Sequence, residues 1–143
     1  MLRRLPEGTA RRFSATALLV TVASCATVDT AVVANPGAEF NLAVGKSATI
    51  SGTGYRITFN RVTEDSRCPV DVQCVWAGDA KIELTISRAS VPGDTRVISL
   101  TPPNSETTAG DVKIRFVSLA PAPRQSEPPA SRAYVARLMV LAP

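Results

Sequence analysis

Lys81-Ile82-Glu83-Leu84-Thr85-Ile86-Ser87 is a strict alternation of polar and apolar residues. Successive side chains of a β-strand point to opposite faces. This spelling therefore sets Ile82, Leu84 and Ile86 on a buried face, with Lys81, Glu83, Thr85 and Ser87 on a wet one. Outward from this stretch the same period recurs. Toward the N-terminus, Tyr55, Ile57 and Phe59 alternate with Arg56, Thr58 and Asn60, and Phe40, Leu42 and Val44 alternate with Asn41 and Ala43. Toward the C-terminus, Val112, Ile114 and Phe116 alternate with Asp111, Lys113 and Arg115. Tyr134, Ala136, Leu138 and Val140 alternate with Val135, Arg137 and Met139. Residues 47–51 and 96–100 are shorter candidates. Between Phe59 and Val62 the parity slips by one residue, which predicts a bulge or bend.

The separators are turn-forming. Val44-Gly45-Lys46-Ser47 and Ser51-Gly52-Thr53-Gly54 suit hairpin connections, and Val91-Pro92-Gly93-Asp94 reads as a turn. Two longer stretches, 101–110 and 120–133, are proline-bearing. Proline has no N–H to give a ladder, so both are expected outside the sheets. No internal repeat, second domain or helical periodicity is visible after residue 26. The expected fold is all-β: a single antiparallel β-sandwich or barrel of about seven strands with one small disulfide loop.

The first 24 residues are of another kind. A basic segment with Arg3, Arg4, Arg11 and Arg12 precedes the apolar run 13–24. As a helix that run rises about 18 Å, short of a hydrocarbon core of roughly 30 Å. Basic and then briefly apolar is the build of a secretory signal. It ends in Val22-Ala23-Ser24-Cys25, which resembles the lipobox of bacterial lipoproteins: an aliphatic residue, two small ones, then cysteine. The resemblance implies cleavage before Cys25, lipid on its thiol and a further acyl chain on the new amine. Several chains at about 0.8 kcal/mol per buried CH₂ hold a protein to a membrane stably. Cleavage after Ala26, releasing a soluble protein, is the alternative. Ala26 rather than aspartate after the cysteine implies, in a Gram-negative cell, the outer membrane facing the periplasm. The expected organisation is a signal peptide at 1–24, a lipidated N-terminus and tether at 25–37, and a β domain at 38–143. Pairing of residues 31–34 as a first strand is the alternative for the tether.

Charge and composition exclude several classes. The chain carries 16 Lys+Arg against 12 Asp+Glu. Four of those cations and Glu7 fall within residues 1–24, which leaves 12 against 11 in the remainder. A nucleic-acid binder needs a clustered basic footprint, so no nucleic-acid partner is expected. Histidine is absent from the sequence, which removes histidine triads, Cys–His dyads and imidazole metal ligands. A serine nucleophile would need Lys46, Lys81 or Lys113 as its base, and no signature surrounds any of them. Glu64 and Asp65 are adjacent, so on a strand they face opposite ways and do not form a catalytic pair. Neither catalysis nor a cofactor is expected.

The densest chemistry runs from Glu64 to Gly78: Glu64-Asp65-Ser66-Arg67-Cys68-Pro69-Val70-Asp71-Val72-Gln73-Cys74-Val75-Trp76-Ala77-Gly78. With Cys25 given to lipid and the address oxidising, a Cys68–Cys74 disulfide is expected. Arg67 then pairs with Glu64, Asp65 or Asp71, Trp76 helps staple the turn, and Gly78 supplies a turn conformation. A second reading makes Glu64, Asp65, Arg67, Asp71 and Trp76 a binding loop, with Arg67 on an anion and Trp76 stacked on a sugar or peptide. Glu64, Asp65, Asp71 and Asp79 also offer hard oxygens, but their spacing matches no calcium loop, so no metal is expected.

Asp65-Ser66-Arg67-Cys68-Pro69 followed by Cys74-Val75-Trp76-Ala77-Gly78 resembles a motif of small, uncharacterised bacterial exported proteins and lipoproteins. The resemblance spans residues 38–142 and implies no catalytic residue. The expected partners are the membrane, through lipid on Cys25, and an envelope protein or cell-wall component. A periplasmic inhibitor of a protease or lysozyme, inserting Arg67-Cys68-Pro69, is the alternative.

Overall fold

The computed structural model describes residues 31–89 and 91–141. The signal segment 1–24, Cys25 and the tether up to residue 30 lie outside the described residues. Nine strands are seen among those described: β1 (Val32–Ala34), β2 (Glu39–Ala43), β3 (Ser47–Ile50), β4 (Tyr55–Asp65), β5 (Ala80–Arg88), β6 (Val91–Ser99), β7 (Glu106–Ala109), β8 (Val112–Ala120) and β9 (Val135–Leu141). They form two sheets, in the orders β1-β3-β4-β5-β6 and β2-β9-β8-β7. All pairings are antiparallel except β1 with β3. The fold is a sandwich-like all-β domain, with more strands than the alternation alone suggests.

The alternating apolar residues are what the sheets press together. Ile57, Phe59, Ile82, Leu84, Ile114 and Leu138 are fully buried. Burying each such side chain is worth about 1.5–3 kcal/mol.

Three expectations need correction. Residues 32–34, placed in the tether, form β1, paired in parallel with Ala48–Ile50. The alternative reading of that segment therefore holds, and the domain begins before residue 38. The stretch 101–110, expected to be loop throughout, contributes β7 at the edge of the second sheet. Val91-Pro92-Gly93-Asp94 is not a turn but the start of β6. There Pro92 and Gly93 fall at a register shift against β5, on an edge strand where a missing N–H is harmless. Two charged residues of β6, Asp94 and Arg96, sit opposite the buried Ile86 and Leu84 and pair with each other at 2.5 Å.

One end of the sandwich collects the chemistry. The β4–β5 connection leaves from Asp65 and returns at Ala80. The β8–β9 connection lies at the same end, because Tyr134, just before β9, bonds Asp65. The turn between β2 and β3 is there as well, with Gly45 N–H donating to the Phe59 carbonyl at 2.7 Å. β3 runs antiparallel to β4 and β1 parallel to β3, so Ala31 leads into β1 from this end too.

Candidate functional site

Two bulges in β4 build the site. Inward-facing residues start on odd numbers, with Tyr55, Ile57 and Phe59 buried. A first register shift between Phe59 and Arg61 moves the inward position to Val62, as the parity slip predicts. A second shift, between Val62 and Glu64, moves it back and places Asp65 inward beside the buried Ala80. Glu64 is left outside, where it takes Lys81 at 2.6 Å.

Asp65 is thus a carboxylate only 2% exposed, with Arg67 at 13% and Arg132 at 4% around it. Its Oδ1 accepts from Arg67 Nε at 2.7 Å. Its Oδ2 accepts from Arg67 Nη2 at 2.9 Å, Tyr134 OH at 2.8 Å and Arg132 Nη1 at 3.2 Å. Burial alone would raise the carboxyl's pKa. The hydrogen bonds from Arg67 and Tyr134, with the charge of Arg67, outweigh it and hold Asp65 below its ordinary value. Burial, reinforced by Asp65, pushes the Tyr134 phenol up, so it remains a donor.

The two guanidiniums then tie down a second loop. Arg67 donates to the carbonyls of Leu119 and, at 3.0 Å, Pro121. Arg132 donates to Glu127 O at 2.6 Å and Arg124 O at 3.2 Å. Farther out, Val70 N–H bonds Pro123 O at 2.9 Å, and Asp71 accepts the Gln125 N–H at 3.0 Å. The cysteine loop and the proline-rich loop are one block, held by a buried ion cluster beneath them.

The cysteine loop itself is a narrow hairpin. Ser66 N–H bonds Asp79 O at 2.8 Å, and Cys68 N–H bonds Ala77 O at 2.9 Å. Cys68 and Cys74 are disulfide-bonded, with Cα atoms 5.9 Å apart. In the chain-entropy picture closing so short a loop contributes about 2 kcal/mol. Cys68→Ser should lower the unfolding free energy of oxidised protein by about 2 kcal/mol, read from denaturant melts, and leave reduced protein unchanged. An equal loss in both states would deny the bond any part in stability.

The readings of the loop divide. Arg67 pairs with Asp65, as the structural reading expects, and it faces inward rather than toward an anion in solvent. Asp65 and Arg67 therefore leave the candidate contact surface and become its foundation. Trp76 does not staple the turn: it is 80% exposed, beside Val75 at 95% and Val70 at 60%. Asp71 is exposed but engaged by Gln125. The four carboxylates considered for calcium go separate ways, with Asp79 taking the Thr101 N–H and hydroxyl, both at 3.0 Å. Among the described residues no group of three potential metal ligands is brought together. Of the lysines weighed as bases, Lys81 is paired with Glu64 and Lys113 with Glu106. Tyr134 and Arg132 are the site residues that sequence reasoning missed. In the alternation Tyr134 reads only as a strand residue, and Arg132 stands in a stretch with no periodicity.

Comparison with protein-family models, with curated proteins and with solved structures finds no match.

Proposed function

We propose that this chain is a non-catalytic, membrane-anchored lipoprotein of the cell envelope, whose β domain presents the joined loop block to a partner. The observation that carries the anchoring is Val22-Ala23-Ser24-Cys25 at the end of a basic-then-apolar leader. The presenting role is supported by the contrast within the block. The charges at its base, Asp65, Arg67 and Arg132, are buried and mutually paired, while Val70, Val75 and Trp76 toward its tip are open to solvent. That suits adhesion better than turnover, since the polar groups of the site are committed to holding the scaffold.

An inhibitor of a protease or lysozyme is the second reading, favoured by the disulfide-braced, exposed tip. With Arg67 turned inward, its inserted segment would be Val70 to Trp76 rather than Arg67-Cys68-Pro69.

Cys25→Ser tests the anchor. The native protein should sediment with membranes and incorporate labelled fatty acid. The variant should lose the label and pass to the soluble fraction; a variant that still sediments with membranes would refute lipidation.

A further inference from the structure

We infer that the Val70–Val75–Trp76 tip is a second, non-covalent membrane contact, seated at the headgroup boundary of the same bilayer that holds Cys25. The inference rests on the lipid anchor proposed above and adds the tip's occupant to it.

Direction is the first argument. β1 starts at the end of the sandwich from which the cysteine hairpin projects, so Ala31, the described residue nearest Cys25, stands at the tip's end of the domain. Reach is the second. Ala31 precedes Val32, which is level with Ile57 through Ala48. The rise from Thr58 to Asp65 matches five steps on β5, Thr85 to Ala80, about 17 Å, and the hairpin runs five residues farther to Val70, about 16 Å more when extended. Six residue steps separate Cys25 from Ala31, and covalent geometry limits their span to about 20 Å. An upright domain would hold its tip beyond the anchor, so tip and anchor share one plane when the domain leans toward its β1 edge. Val33 on β1, 59% exposed, and Val44 in the β2–β3 turn, 40% exposed, lie on that leaning side. The third argument is chemical. Residues 69–77 carry one charged side chain, Asp71, already accepting the Gln125 N–H. Few charges have to leave water as the tip enters the interface. Tryptophan is the side chain that favours that depth, with an apolar body and one N–H for the wet side. Arg124, exposed and adjacent to the Pro123 that bonds Val70, is placed for lipid phosphate. The disulfide holds the tip in shape, so little conformational freedom is lost on contact.

Trp76 is the chain's one tryptophan, which makes its emission a reporter of this spot. The full mature lipoprotein is reconstituted in phosphatidylethanolamine–phosphatidylglycerol vesicles, with and without lipids brominated near the glycerol end of the acyl chain. Docking at the interface should blue-shift the emission and quench it about twofold on brominated vesicles. Val75→Asp should float with vesicles as before and lose most of that quenching. Wild-type protein that floats but is not quenched overturns the docking while sparing the anchor, and returns the tip to a protein or cell-wall partner. Protein that does not float overturns both. A Val75→Asp variant quenched like wild type also overturns it.

Discussion

Asp65→Ala should destabilise the domain by about 3–5 kcal/mol, because it leaves two buried guanidiniums facing each other without their carboxylate. Against a total of about 5–15 kcal/mol for a natural domain, this is a large fraction. The loss should spread beyond β4, since Arg67 and Arg132 hold three carbonyls of the proline-rich loop and that of Leu119 in β8. Hydrogen exchange at Val70 and Gln125, whose N–H groups bond across the two loops, should rise with it. The effect has a defined pH dependence. The folded pKa of Asp65 lies below its ordinary value of 3.8. Its stabilising contribution is therefore complete above that value and is lost as pH falls through the folded pKa. The stability gap between wild type and Asp65→Ala should narrow in acid and be widest near neutrality. A gap independent of pH would show that the ionised carboxylate is not what holds the block.

Gly78→Ala should cost about 3 kcal/mol and act on the hairpin first. Gly78 has φ +71°, and a Cβ there would stand 1.8 Å from the Ser66 carbonyl oxygen. The left-handed conformation costs a non-glycine residue about 1–2 kcal/mol, and forced repacking adds about 1–3 kcal/mol. Relief requires the Ser66–Asp79 and Cys68–Ala77 rungs to part. Loss of amide protection at Ser66 and Cys68 should therefore precede global unfolding. Retained protection at both, with wild-type stability, would show that the hairpin yields without cost.

Why the frame was legible and the site only partly so follows from particular residues. β5 was plain because each inward position of Lys81–Ser87 is a large aliphatic. β7, Glu106-Thr107-Thr108-Ala109, contains no such contrast and is defined by its partner β8. β1 is apolar at each position, so periodicity could not separate strand from tether. The bulge after Phe59 showed because Val62 broke the parity. The bulge after Val62 was silent: Thr63, Glu64 and Asp65 are all polar, so a change of face among them leaves no trace in hydropathy. Hydropathy therefore does not tell which of Glu64 and Asp65 faces inward. The partner of Asp65, Arg132, lies 67 residues away, a contact only tertiary structure creates. The disulfide follows from the cysteine count and the expected export, whereas the exposure of Trp76 depends on the hairpin projecting clear of the sheets.

β6 closes one border of the first sheet with a proline, a register break and a pair of charges on its inner side. Such a border cannot template the backbone of a neighbouring molecule. Copies meeting edge to edge there collide without zipping into a continuous sheet.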